Sequence, residues 1–122
     1  MWIRWLDVSQ KGYQMKYAEA YALVAGKNNR KSRKIDNNTR GYIEYDNSVS
    51  IELHSTKVVT LYPNGLVKLQ SGGWMTPTTK DRMNKYSPVR VTQRKGEWYV
   101  NLPCANGCRN DFPFMENMVV QG

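Results

Sequence analysis

His54 is the only histidine in the chain, and histidine is the side chain most often used to move protons near neutral pH. It lies on the polar side of the Val49–Leu53 run, beside Ser55 and Thr56. There it suits either a general base or a surface strand histidine held by hydrogen bonds, and the second is the expectation. The acids Asp36, Glu44, Asp46, Glu52, Asp81 and Glu97 form no close pair of the kind a two-carboxylate centre needs. The sequence has no Walker loop, no dinucleotide fingerprint, no His-Glu-x-x-His and no Gly-x-Ser-x-Gly elbow. A non-enzymatic protein without a cofactor is predicted.

Two cysteines, Cys104 and Cys108, lie in the turn-rich string PCANGC. Reduced thiols in a turn, a small loop disulfide and half of a zinc site all fit that spacing. A tetrahedral zinc site needs four ligands, and two cysteines with one histidine leave the set short. No metal is expected.

The chemistry in which the chain is rich is cationic. Eighteen Lys and Arg against ten Asp and Glu give a net charge of +8 on 122 residues. Six of those cations, Lys27, Arg30, Lys31, Arg33, Lys34 and Arg40, fall with the single acid Asp36 in KNNRKSRKIDNNTR, so this stretch carries +5 of the +8. Charge concentrated in this way suits a phosphate backbone or another acidic surface, although a solvated loop that maintains solubility has the same composition. A second anion site is suggested by the segment Gly72 to Arg82, with two glycines, threonine hydroxyls, the N–H groups of a helix start, and Lys80 with Arg82. An ordinary capped helix explains the same residues. Tyr42 and Tyr45 follow the basic stretch directly, and Trp74 stands in a glycine-rich turn; bases stack on such rings at ~1–3 kcal/mol each. The remaining rings, Trp2, Trp5 and Trp98 among them, are assigned to packing.

These side chains need a scaffold, and the length fits one domain covering residues 1–122. No apolar run approaches the ~18 residues of a membrane span, and the N-terminus MWIRWLDVSQ interrupts any signal-like stretch with Arg4 and Asp7. Trp2, Ile3, Trp5, Leu6 and Val8 predict a short strand or an extended arm. A helix is predicted over Tyr13–Ala25, with Met15, Ala18, Ala22 and Ala25 as one stripe and Tyr17, Tyr21 and Val24 as a second, stopped by Gly26 and Asn28-Asn29. Residues 27–40 hold one large apolar side chain, Ile35, and read as a loop. After it the period becomes two: a strand near Tyr42–Tyr45 turning at Asp46-Asn47, then Val49–His54. A hairpin follows over Lys57–Tyr62 and Leu66–Gln70 around Asn64-Gly65, and another over Val89–Arg94 and Trp98–Leu102 around Lys95-Gly96. MENMVV supplies a last edge strand. Thr76 or Thr78 caps a short helix running to about Tyr86, with Pro77 in its first turn if Thr76 is the cap. The predicted class is α+β: an antiparallel meander of about four to six strands with helices on one face.

The string LHSTKVVTLYPNGLVKLQSGGWMTPTTKDRMNKYSP resembles a group of small proteins encoded by tailed bacteriophages, which share its strand–turn–strand, Ser-Gly-Gly-Trp and Thr-Thr-Lys-x-Arg features. The likeness spans about Ile51–Pro88, with a weaker match in PFMENMVV, and excludes the helix and the basic stretch. It implies an accessory protein acting in the host bacterial cytoplasm, with the virion as the other setting, and brings no activity with it. The expectation is binding of nucleic acid through Lys27, Arg30, Lys31, Arg33, Lys34 and Arg40, with Trp74, Lys80 and Arg82 on the same surface. Two alternatives come from the phage setting: an anti-defence protein that docks on a host nucleoprotein complex, such as a CRISPR effector, or sequesters a nucleotide signal, and a structural virion component. A DNA-mimicking inhibitor would be acidic, so the charge of +8 excludes that subtype.

Overall fold

A computed structural model describes residues 15–103 and 109–121; the N-terminal arm and both cysteines lie outside the described residues. Helix α1 spans Tyr17–Ala25. Its buried residues are Ala20, Val24 and Ala25, while Ala18 and Ala22 are exposed, so the core face takes one residue from each of the two stripes and adds Ala20. Alanine gains little from burial, and its spacing therefore says little about which face turns inward. The helix stops at Gly26 (φ 58°), and a 3-10 turn over Gly26–Asn28 ends on left-handed Asn29 (φ 52°).

The predicted loop over 27–40 is mostly a β-hairpin. Strand β1, Ser32–Asp36, pairs antiparallel with β2, Thr39–Ile43, leaving only residues 27–31 as connection. Composition misled here for a physical reason. A ladder is held by backbone hydrogen bonds, and an antiparallel strand needs apolar side chains on one face only. Ile35 packs against the core, and Thr39, Gly41 and Ile43 are buried beside it. The turn signal was Asn37-Asn38: Asn38 takes φ 52°, and the Asn37 N–H donates to Asp36 Oδ1 at 2.8 Å.

Strands β3 (Val49–Leu53), β4 (Thr56–Leu61), β5 (Leu66–Leu69) and β9 (Met118–Gln121) complete a sheet of order β1-β2-β3-β4-β5-β9. Strands β6 (Arg90–Arg94), β7 (Glu97–Pro103) and β8 (Arg109–Pro113) form a second, three-stranded sheet. The α+β antiparallel class is as expected, with nine strands among the described residues rather than four to six. Both predicted hairpin turns form, by different chemistry. Lys95 and Gly96 both take positive φ (51° and 81°), as a tight two-residue turn requires. In the other, only Gly65 does (φ 93°), because Pro63 and Asn64 form the turn and Asn64 Oδ1 accepts the Leu66 N–H at 3.1 Å.

Helix α2 spans Pro77–Lys85 with Thr76 as its cap, whose hydroxyl accepts the Thr79 N–H at 3.2 Å. Thr76→Ala is expected to cost about 1 kcal/mol, read as a lower urea midpoint at unchanged m. The core joins the inner face of the large sheet (Val49, Ile51, Val59, Leu61, Val67, Leu69) to Val24 of α1, Met83 of α2, and Val91 and Val100 of the small sheet. Trp98 packs there against Phe114, ring centroids 5.6 Å apart. Helix α1 meets this face where Val24 lies over Gly41, and α2 meets it where Arg82 Nε donates to Thr39 Oγ1 at 2.8 Å. No described helix covers the opposite face.

Candidate nucleic-acid interface

The face of the large sheet opposite the two helices is built from the residues that alternate with the core. Register sets Lys34, Arg40, Glu52 and Lys57 side by side across β1 to β4. The next row runs Ser32, Tyr42, Ser50, Thr60, Lys68 and Val119. Lys34 and Arg40 are exposed and cross-strand neighbours, so their like charges repel one another unless an anion lies between them. Lys57 sits 5.5 Å from the Tyr42 ring centroid and pairs with Glu44 Oε2 at 2.6 Å. That partner raises the lysine's pKa and lowers the glutamate's, so both stay charged across neutral pH. The Tyr42 hydroxyl donates to Glu52 Oε1 at 3.1 Å, which anchors the ring on the face beside the carboxylate that stands between Arg40 and Lys57 in register.

His54 is not a strand residue. The strand ends at Leu53, and His54 turns the chain in the left-handed region (φ 58°), its N–H donating to Asn38 O at 2.8 Å. Two hairpin turns are thereby joined at one end of the sheet. A shallow hollow of about 300 Å³ gathers Lys34, Arg40, Tyr42, Glu52 and His54 there. Beside it, a larger cleft of about 590 Å³ is lined by His54, Trp74 and several hydroxyls.

The nine basic and aromatic candidates do not share one role. Lys27, Arg30 and Lys31 are exposed on the connection into β1. Arg33 faces the helix side, its Nη1 donating at 3.0 Å to Leu23 O in the last turn of α1, where a cation complements the helix dipole. Lys80 Nζ donates to Gln93 Oε1 at 2.9 Å. Arg82 is clasped: besides Thr39 it donates to Asp81 Oδ2, and its Nη2 lies 3.7 Å from Asp36 Oδ1. The backbone donors of the glycine-rich turn also have a partner, because Glu116 accepts the Ser71 N–H at 2.8 Å, the Gly72 N–H at 3.3 Å and the Ser71 hydroxyl. In the Gly72–Arg82 segment the chain thus supplies its own carboxylates. Sequence reasoning missed Lys57 and Lys68; the alternation of Lys68 with Val67 and Leu69 carries a signal, whereas an irregularity in the β3–β4 register interrupts it at Lys57.

A family model described as Kyanoviridae Gp96 protein matches residues 13–121. The chain belongs to this family. The Kyanoviridae Gp96 match makes it a tailed-phage protein, the origin the resemblance implied, and the matched residues include α1 and the basic hairpin. No curated protein and no solved structure matches the chain. Among the described residues, no helix of this Kyanoviridae Gp96 member is long and apolar enough to cross a membrane, and no three His, Cys, Asp or Glu side chains are grouped to hold a metal.

Proposed function

We propose that this phage protein is a non-enzymatic nucleic-acid binder whose contact surface is the face of the large sheet opposite the helices and the adjoining end of its basic hairpin. The observation that carries this reading is the cross-strand pair Lys34 and Arg40, exposed, in none of the salt bridges among the described residues, and continuous with Lys57, Tyr42 and Lys68, with Glu52 the one acid in their row. A flat, cationic, β-sheet surface with an anchored tyrosine meets phosphates and bases without a groove-reading helix. Lys27, Arg30 and Lys31 extend the field at the edge of the sheet and steer an anionic strand toward it. The protein then acts where phage or host nucleic acid is accessible, in the host bacterial cytoplasm or in the particle.

Fluorescence anisotropy with labelled DNA and RNA oligonucleotides, followed from about 50 to 200 mM salt, tests the reading. Wild-type affinity is expected to fall steeply across that range. In the Lys34→Ala/Arg40→Ala double variant the slope of log affinity against log salt is expected to be shallower by about 1.4–1.8, at about 0.7–0.9 for each lost phosphate contact. Both side chains are exposed, so the melting temperature should stay unchanged. Absence of salt-sensitive binding by the wild type removes the proposal.

A further inference from the structure

The cleft of about 590 Å³ beside His54 lies between the β3–β4 turn and the segment that leads into α2. Leu53 and Val58 give it an apolar floor, and Trp74 forms a side while remaining 67 % exposed. Its remaining walls carry hydroxyls, among them Ser55, Thr56 and Thr78. The main chain at Trp74 is held in place: its backbone N–H donates to Ser71 O at 3.0 Å and its carbonyl accepts the Thr76 N–H at 2.9 Å. The reversal before it needs Gly72 and Gly73 at φ 64° and 89°, and a Cβ on Gly72 would stand 2.8 Å from Thr56 Oγ1. A large ring exposed on an anchored backbone beside an apolar floor marks a surface suited to a partner.

We propose that this cleft receives one unstacked base of single-stranded nucleic acid, with the base against Trp74 and its phosphate toward Lys34 and Arg40; this rests on the nucleic-acid reading above. Charge and shape select this occupant. His54 lines both the cleft and the hollow that holds Lys34, Arg40 and Glu52, so the two recesses adjoin at that residue. A neutral ring would fill the apolar part and leave Lys34 and Arg40 with Glu52 as the one acid beside them in the hollow. On the other flank Glu116 already occupies the Ser71 and Gly72 N–H groups, so the phosphate is directed to the hairpin side. A base inside a duplex has both faces stacked and none to offer Trp74. Hydroxyls both donate and accept, and a wall made of them tolerates the edges of different bases.

The test compares a labelled thymidine oligomer of about eight nucleotides, within the usual site size for such surfaces, with an abasic oligomer of equal phosphate count. Wild-type protein is expected to hold the thymidine oligomer about 5- to 150-fold more tightly than the abasic one. Trp74→Ala is expected to erase that gap, Trp74→Phe to restore most of it, and neither to change the affinity or salt slope of the abasic oligomer. A thermal melt of each variant reports folding independently. Equal wild-type affinity for the two oligomers, or a gap that survives in Trp74→Ala, overturns the base cleft while salt-sensitive abasic binding leaves the backbone surface standing. Loss of salt-sensitive binding for both oligomers overturns the nucleic-acid reading and the cleft with it.

Discussion

Asp36→Ala is expected to destabilise the fold by about 2–3 kcal/mol, lowering the melting temperature by on the order of 10 °C. Asp36 ends β1 and binds three groups of the second helix region at once. Lys85 Nζ lies 2.8 Å from its Oδ2, the Tyr86 hydroxyl donates to the same oxygen at 2.9 Å, and Arg82 approaches Oδ1. The Asp36 and Arg82 side chains are 19 % and 11 % exposed, so solvent screens these contacts only in part. Without the carboxylate, the buried Tyr86 hydroxyl loses its acceptor and Arg82 keeps only Asp81 as a charged partner. Removing one member of such a cluster costs the desolvation of those left behind.

The same contacts predict a pH dependence. The hydrogen bond from Lys85, the Asn37 N–H, the Tyr86 hydroxyl and the Arg82 charge hold the Asp36 carboxyl well below the usual carboxylate range. The unfolded chain therefore takes up this proton first as pH falls. The Asp36 contribution is complete above about pH 4 and is lost as pH drops toward the lowered folded value. Tyr86 is displaced the other way, upward, by burial and then by its bond to Asp36. Its contribution is complete below about pH 10 and is lost as pH rises through the raised folded value. Denaturant melts across both limbs check this: in Asp36→Asn the acid-side decline should flatten. A variant as stable as wild type at pH 7, with an unchanged acid limb, would show that the clasp contributes nothing.

Gly41→Val should be at least as damaging, at about 3 kcal/mol, the upper end of the range for overpacked cores. Gly41 lies on β2 under Val24 of α1, a residue with no exposed surface. A Cβ at position 41 would run into Val24 Cγ2 and reach Ile35 Cδ1 at 3.7 Å. Val24 is β-branched and rotates only at a cost, so the helix itself must lift from the sheet. The check is a double-mutant cycle measured by urea denaturation. Val24→Ala alone loses buried methyl groups, but combined with Gly41→Val it should recover part of the loss, giving a coupling energy on the order of 1–2 kcal/mol. Strict additivity would mean that helix and sheet do not meet there.

Much of the scaffold was legible because its signals are local. Val49, Ile51 and Leu53 alternate with polar residues, Lys95-Gly96 turns a hairpin, and Thr76-Pro77 opens a helix; each depends on neighbours a few residues away. The basic hairpin was illegible for the opposite reason. Ser32–Asp36 owes its strand form to backbone pairing with Thr39–Ile43 and to a core placed beneath it by distant residues. Polar side chains on the open face of an antiparallel pair look like those of a loop. His54 likewise looked like the next strand residue, and its left-handed turn is imposed by the Asn38 carbonyl of another hairpin.

The sequence by itself determined the α+β class, the cationic character and where along the chain the charge lies, because composition and short-range periodicity are properties of the chain alone. Only the tertiary structure decided which cations face outward. Arg33 and Arg82 carry the same charge as Arg40, yet the strand pleat and the position of the two helices turn them inward to a carbonyl and a carboxylate. Lys34, Arg40, Lys57 and Lys68 are scattered over thirty-five positions, and antiparallel register alone brings them onto one face. Hydrogen-bond pairing across strands, a long-range interaction, sorts this protein's charges into those that hold the fold and those left for a partner.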